Sequence, residues 1–175
     1  MAVGAPPKSI EAVVCIPTFR RPDWLERTIR SVLAQETPFG FALVIVDNDA
    51  GTSEGFARAS ELLAGNPLPH RLFVESSQGN CHAINRAFTE AQAAFPEAEF
   101  FLMIDDDEMA MRGWLAAIVA LAKKENADIV GGPVIREFEV PVPQTVAQHP
   151  LFVSIDGVTR LVDQIHGSGN CLIRR

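Results

Sequence analysis

Four consecutive acids, Asp105, Asp106, Asp107 and Glu108, follow directly on the apolar run FFLMI of residues 100–104. Like charges a few ångströms apart repel, which raises some of their pKa values until a cation relieves them. Mg2+ and Mn2+ take carboxylate oxygens together with phosphate oxygens, so such a cluster can hold a divalent ion against a phosphorylated ligand. Alternate residues of an extended segment point the same way. Asp105 and Asp107 are therefore expected to face one ligand, with Asp106 facing away and Glu108 unassigned. The competing reading is a solvated acidic turn; placement at the end of an apolar strand favours a site. A weaker group, Asp47-Asn48-Asp49, ends the run FALVIV of residues 41–46. Asp and Asn are ordinary turn residues, so that group gains weight only from its position.

The elements around these acids alternate strand and helix. Residues 12–17 (AVVCIP) read as a buried strand closed by proline. Pro22 suits the first position of a helix, with Asp23 and Glu26 in its acidic first turn and Leu25, Ile29, Val32 and Leu33 on one stripe. Residues 41–46 form a second strand, and Ser53 is expected to cap a helix running to about residue 64. A third strand is expected over 70–74. After Gly79 and Asn80 comes a helix whose apolar face would carry Ile84, Ala87, Phe88, Ala91 and Phe95. Residues 100–104 are the most apolar strand, and a helix with Trp114, Leu115, Ile118, Val119 and Leu121 follows. A strand over 128–130 breaks at Gly131, Gly132 and Pro133. Beyond it, Pro141, Pro143 and Pro150 punctuate a loosely patterned stretch, with strands expected over 158–165 and 171–173. Continuous apolar strands alternating with helices imply an α/β fold whose mostly parallel sheet is covered on both faces. Ligands of such sheets bind beyond the carboxyl ends of the strands, where Thr18, Asp47 and Asp105 all fall.

Composition narrows the classes further. Apolar residues make up 47% and charged residues 21%, the balance of a soluble globular domain. A net charge of −7 argues against nucleic acid, which needs a basic face. An anionic ligand would need a metal ion or backbone N–H groups to bind here. Cys15, Cys81 and Cys171 are scattered, with no C-x-x-C pair. They read as reduced, mostly buried thiols of a cytosolic protein. The segment 1–11 is expected to be flexible and has no apolar core of a signal peptide. No apolar run approaches the roughly 20 residues of a membrane span.

Taken together, these segments resemble the family 2 glycosyltransferases, which have the GT-A (Rossmann-like) fold. VVCIPTFRRPDWLERTIRSVLAQ is similar to the family's first strand, Pro-Thr turn and first helix. VIVDNDAGTSEG resembles its second strand with an aspartate, and QGNCHAINRAF its glycine and asparagine segment. FFLMIDDDE carries a D-x-D pattern; GWL, ADIVGGPV and GSGNCLIRR resemble the elements that follow. The D-x-D pattern alone is common, but these segments together in family order are specific.

The resemblance implies roles. Pro17, Thr18 and Arg20 would border the nucleotide base, and Asp47 would hydrogen-bond it, with uracil as the expected base. Asn85 would join the donor site. Asp105 would contact the ribose or the metal shell, and Asp107 would ligate Mn2+ or Mg2+ bridging the donor diphosphate. The implied partners are a UDP-sugar donor and a glycan, lipid or protein acceptor, with the sugar transferred with inversion. Residues 12–132 would form the nucleotide-sugar-binding subdomain, and 133–175 the start of an incomplete acceptor-side subdomain. The implied location is the cytoplasm, with peripheral association at the inner face of the membrane open to the full-length protein.

Two departures stand out. The family's basic residue in the third segment is replaced by Asn80 and Ile84, with Arg86 or His82 as possible substitutes and Ile84 fitting core packing. The family's catalytic base lies in a Glu-Asp pair beyond the NCLIRR strand, and no residue here matches it. Glu137, Glu139, Asp156 and Asp163 do not sit in that pattern, and His166 reads as structural rather than catalytic. The rival classes are a nucleotidyltransferase, against which the glycine-free PTFRRPDW counts, and a non-catalytic binding module.

Overall fold

The computed structural model describes residues 9–150, 159–165 and 169–175. The apolar runs become β1 (Ile10–Thr18), β2 (Gly40–Asp47), β3 (His70–Val74) and β4 (Phe100–Met103), all parallel. Strand β1 begins two residues before the apolar run read from sequence, because Ile10 pairs with Gly40. The connecting helices are α1 (Pro22–Leu33), α2 (Glu54–Leu63), α3 (Asn80–Ala94) and α4 (Trp114–Glu125). Two short strands, β5 (Ile129–Gly131) and β6 (Cys171–Arg174), and a helical turn, α5 (Gln144–Ala147), complete the described elements.

The six-stranded sheet has the order β3-β2-β1-β4-β6-β5. The expected mostly parallel sheet is found, with one departure: β6 runs antiparallel between β4 and β5. Met103 pairs with Cys171, so the start of β6 lies beside the end of β4. The expected strand over 158–165 is absent from 159–165; residue 158 lies outside the described residues.

Side chains alternate across each strand, and helices cover both faces. Val14, Ile16, Leu43, Ile45, Phe100 and Leu102 meet α1, α2 and α4 on one face. Val13, Cys15, Val44, Val46 and Phe101 meet α3 on the other. Ala87 and Ala91 of helix α3 and Phe95 just past its end are buried as expected, joined by Ala83; Phe88 is half-buried against the same cluster, and Ile84 is half-buried outside it. Alanines let the helix axis come close to the sheet, and Ala83 rather than Ile84 takes the first place on the buried face. Ile84 therefore does not join the core, contrary to expectation. Of the thiols, Cys15 and Cys171 are buried and Cys81 is exposed.

Helix α1 starts at Pro22 as its ring geometry favours. Helix α2 starts differently from expectation. Ser53 adopts a left-handed conformation and makes no side-chain cap. The Asp47 carboxylate caps instead, accepting the Phe56 N–H at 2.8 Å.

Candidate functional site

The carboxyl ends of β1, β2 and β4 meet at one edge: the Asn48 N–H donates to the Thr18 carbonyl at 2.9 Å, and buried Asp106 ties the acid turn to the end of β1. The Thr18 hydroxyl donates to Asp106 Oδ2 at 2.6 Å, and the Phe19 N–H reaches the same oxygen at 3.3 Å. Asp106 is 7% exposed, so it faces inward, as the spacing predicted. The reason is not strand alternation, since β4 ends at Met103 and Asp106 and Asp107 lie in a turn. Burial pushes the Asp106 carboxyl up, and the Thr18 and Phe19 bonds pull it back.

Asp105 is half-buried and Asp107 is exposed. Burial raises the Asp105 carboxyl, and the charges of Asp107 and Asp106 raise it further. Glu108 is pushed up to about 7 by burial and then by Asp105. Arg21 pairs with this turn, with Nη1 at 2.6 Å from Asp107 Oδ2 and 3.4 Å from Asp106 Oδ1, and the charge of Arg136 also bears on Glu108. Gly169, at the entry to β6, closes the inner side. A Cβ there would stand 2.7 Å from Asp105 Oδ2 and from both Glu108 oxygens, so glycine is what lets β6 pack under the two acids. Next to it, Asn170 accepts from Trp114 Nε1 at 2.8 Å and donates to the Pro133 carbonyl at 2.9 Å.

The chemistry of this donor set fits a divalent ion in an open site. Acids whose carboxyls are raised by burial and by one another gain from a cation. Among the described residues, no group of three or more His, Cys, Asp or Glu is arranged to hold a metal by itself. Asp105 and Asp107 would therefore supply part of the shell, with phosphate and water oxygens completing it, as Mg2+ commonly requires.

The β2 loop is ordered by its own polar groups. Asp47 is 1% exposed, and its second oxygen accepts the Asp49 N–H at 2.9 Å. Gly55 leaves room for that carboxylate: a Cβ there would lie 3.0 Å from Asp47 Oδ2 and 2.9 Å from Thr18 Cγ2. Both Asp47 oxygens are thus engaged by backbone N–H groups, inside the loop rather than at its outer surface. Asn48 accepts the Gly79 N–H at 2.7 Å and donates to the Ser77 carbonyl at 2.8 Å, which ties the start of α3 to β2. Asp49 accepts from Arg20 Nε at 2.8 Å and from the Thr52 hydroxyl at 2.9 Å. Those bonds hold the Asp49 carboxyl below the usual range. Arg20 sits in a left-handed backbone conformation (φ 55°), and its guanidinium lies 4.9 Å from the Phe19 ring centre.

The structure brings Pro17, Thr18, Arg20, Asp47, Asp105 and Asp107 to this edge of the sheet. Pro17 is buried opposite Val46. Asn85 is exposed on the second turn of α3. Arg86, considered as a replacement cation, is paired with Glu90 at 2.8 Å, and His82 is exposed. Glu137, Glu139 and Asp163 are exposed in the region after β5. Asp156 and His166 lie outside the described residues.

A polar stripe along α1 and just past its end (Thr28, Ser31 and Gln35) was not singled out from sequence. Thr28 donates toward the carbonyls of Glu108 at 2.7 Å and Asp106 at 2.9 Å. The Ser31 hydroxyl accepts the Ala110 N–H at 2.9 Å. Gln35 donates to the Met111 carbonyl at 3.0 Å and accepts the Leu115 N–H at 3.2 Å, capping α4. Thr28 holds the acid turn from below, and Ser31 and Gln35 hold the segment that leads from it into α4. Their spacing, i, i+3 and i+7 beside the apolar stripe, was the available signal.

A largely parallel α/β sheet with its acids at the carboxyl edge, helices on both faces and one inserted antiparallel strand defines a GT-A, Rossmann-like fold. Residues 13–175 match the family model of glycosyl transferase family 2, and the chain belongs to that family. It is similar to the mannosyltransferase PcManGT from Pyrobaculum calidifontis, which was solved in complex with GDP-Man and Mn2+. That likeness has 21% identity and a TM-score of 0.61, and covers 75% of this chain and 38% of that one. It is also similar to S. aureus TarS, at 20% identity and a TM-score of 0.60 over 78% of this chain and 24% of that one. With the 1–349 portion of TarS the likeness covers 94% of this chain and 47% of that one, at 21% identity and a TM-score of 0.63. Among curated proteins, the uncharacterized protein y4gI of Sinorhizobium fredii is 29% identical over 122 residues, 67% of this chain and 12% of that protein. The chain thus spans less than half the length of each of these relatives.

Proposed function

We propose that this chain is the donor-binding part of a glycosyltransferase that moves a sugar from a nucleotide diphosphate to an acceptor hydroxyl with inversion. The observation that carries the reading is the convergence at one edge of Thr18, the Asp47–Asp49 loop and the acid turn, with Thr18 bonded both to Asp106 and to the Asn48 N–H, in a family 2 chain. Asp107, exposed, and Asp105, half-buried, are assigned to hold Mn2+ or Mg2+. Bound there, the ion neutralises charge that develops on the departing diphosphate. The complex of PcManGT with GDP-Man and Mn2+ supports a divalent ion and a nucleotide-diphosphate donor here. UDP is the first nucleotide to test and GDP the second.

Pro17, Thr18 and Arg20 are assigned to the wall of the base pocket, with Asn85 on the α3 side. Asp47 bears on the base through the loop it orders, because its two oxygens already accept the Asp49 and Phe56 N–H groups. Residues 12–132 are assigned to the donor side and 133–175 to the acceptor side. The acceptor hydroxyl, on a glycan, lipid or protein, needs a general base; no residue of this chain is assigned that role. None of the described helices is long and apolar enough to cross a membrane.

A thermal-shift panel tests the reading. UDP- and GDP-sugars should raise Tm when Mn2+ or Mg2+ is present and not in EDTA, and the matching nucleoside monophosphates should gain little from the metal. A panel in which no nucleotide-diphosphate sugar stabilises the protein with either metal contradicts it.

A further inference from the structure

The acid turn already carries a cation, and it comes from the protein itself. Arg21 precedes α1, and its side chain is about half exposed, at 52%. Its Nη1 sits 2.6 Å from Asp107 Oδ2, on the carboxylate most open to solvent in the turn, and 3.4 Å from Asp106 Oδ1. Asp106 is pinned from the other side by Thr18 and Phe19, so it cannot follow the guanidinium if that moves. Asp107 and Arg21 can separate; Asp106 stays.

We propose that Arg21 is the turn's resident counter-cation. It holds Asp107 while no divalent ion is bound, yields that carboxylate to the ion, and turns its charge to the diphosphate. This rests on the donor and metal reading above. The physical reason is competition for one carboxylate. An ion pair at a half-exposed site is weak, so a divalent ion can displace it, yet it is strong enough to set the ion's apparent affinity. Once released, a guanidinium offers a planar fork of donors suited to phosphate oxygens. Arg21 is thereby a positioning residue: it places charge first on the acid turn and then on the ligand. The same residue would tie metal binding to nucleotide binding, since each ligand removes a competitor of the other.

The test measures Mn2+ binding by electron paramagnetic resonance titration, first without nucleotide, on the wild-type chain, Arg21→Gln, Arg21→Lys and Asp107→Asn. Arg21→Gln should bind Mn2+ about two- to fivefold more tightly than wild type, the range set by losing one half-exposed ion pair. With Mn2+ saturating, the same variant should bind UDP or GDP several-fold more weakly. Arg21→Lys, which keeps the charge, should move both values back toward wild type. A merely structural lesion would weaken both ligands together. Unchanged or weaker Mn2+ binding in Arg21→Gln, with binding lost in Asp107→Asn, overturns the inference and leaves the metal assignment standing. Failure of the wild-type chain to bind Mn2+ overturns both.

Discussion

Replacing Thr28 by valine removes one hydroxyl from beneath the acid turn and changes little else. Thr28 is 1% exposed, and its hydroxyl lies 2.7 Å from the Glu108 carbonyl, 2.9 Å from the Asp106 carbonyl and 3.3 Å from the Trp24 carbonyl. A hydroxyl has one proton, so it serves these acceptors in alternation, mainly the two in the turn. Valine has the same β-branched shape and a similar helix propensity, so apart from the hydroxyl the side chain fills the same space. The Trp24 carbonyl already sits within α1. The Glu108 carbonyl keeps some access to water, whereas the contact to the Asp106 carbonyl is buried. Leaving a buried carbonyl unpaired costs about 1–3 kcal/mol, and the added methyl returns at most about 0.8 kcal/mol of that. The expected net loss centres on about 1 kcal/mol, which for a chain of this size lowers Tm by roughly 2–4 °C. Urea unfolding of wild type, Thr28→Val and Thr28→Ser measures it. The serine variant keeps the hydroxyl and should bind Mn2+ like wild type even where the missing methyl lowers its stability. The valine variant should weaken Mn2+ binding as the turn loosens. A valine variant within 0.5 kcal/mol of wild type (about the resolution of such differences), with unchanged Mn2+ binding, refutes the view that Thr28 braces the turn.

Two further outcomes follow from the geometry. Asp47→Ala removes the acceptor of the Phe56 and Asp49 N–H groups at a position 1% exposed, and should cost about 2 kcal/mol by urea unfolding. Hydrogen exchange at the Phe56 amide should rise more than at the buried strands, and uniform exchange across α2 and the sheet would contradict the capping role. Glu108 gives the pH dependence. Its carboxyl is raised to about 7 when folded, so the folded state binds its proton more readily than the unfolded state. The stability this lends is complete below the ordinary carboxylate value and is lost as pH rises through about 7. Discounted for partial solvent exposure, the loss in EDTA is about 1–2 kcal/mol between roughly pH 5 and pH 8. Glu108→Gln should flatten that fall, which parallel urea titrations of the two proteins would show; an equal fall in both refutes it.

The parallel part of the fold was legible because its signal is local. Residues 12–17, 41–46 and 100–104 are apolar, largely β-branched or aromatic runs, and they became β1, β2 and β4 with small changes at their ends. The direction and place of β6 were not legible. Four residues, Cys171–Arg174, carry no signal for which strand they join, and their pairing with β4 spans some seventy positions of sequence. Most of the α3 face was legible, since Ala87, Ala91 and Phe95 are buried as the spacing implies; its first position was not, because hydrophobicity favours Ile84 while close packing against the sheet selects Ala83.

The candidate site was legible as a set of acids at strand ends, and much less so as a network. Asp106 was expected to face away, and it does, yet its role as the tie to Thr18 depends on a contact 88 residues apart. Ser53 looked like the cap of α2 because serine next to a helix usually is one; the carboxylate that caps it comes from the end of β2. Thr28, Ser31 and Gln35 were invisible to an apolar template because their partners lie 75–80 residues downstream. Arg21 was passed over for the same reason: an arginine before a helix has no local sign that it will meet Asp107.

The most direct measurement of the donor-site account is isothermal calorimetry of UDP and GDP against the wild-type chain and Asp107→Ala, each with Mn2+ and with EDTA. At least one of the two nucleotides should bind wild type in a way that depends on Mn2+ and is lost in Asp107→Ala. Metal-dependent nucleotide binding that survives the substitution, or wild-type binding equally strong in EDTA, contradicts it.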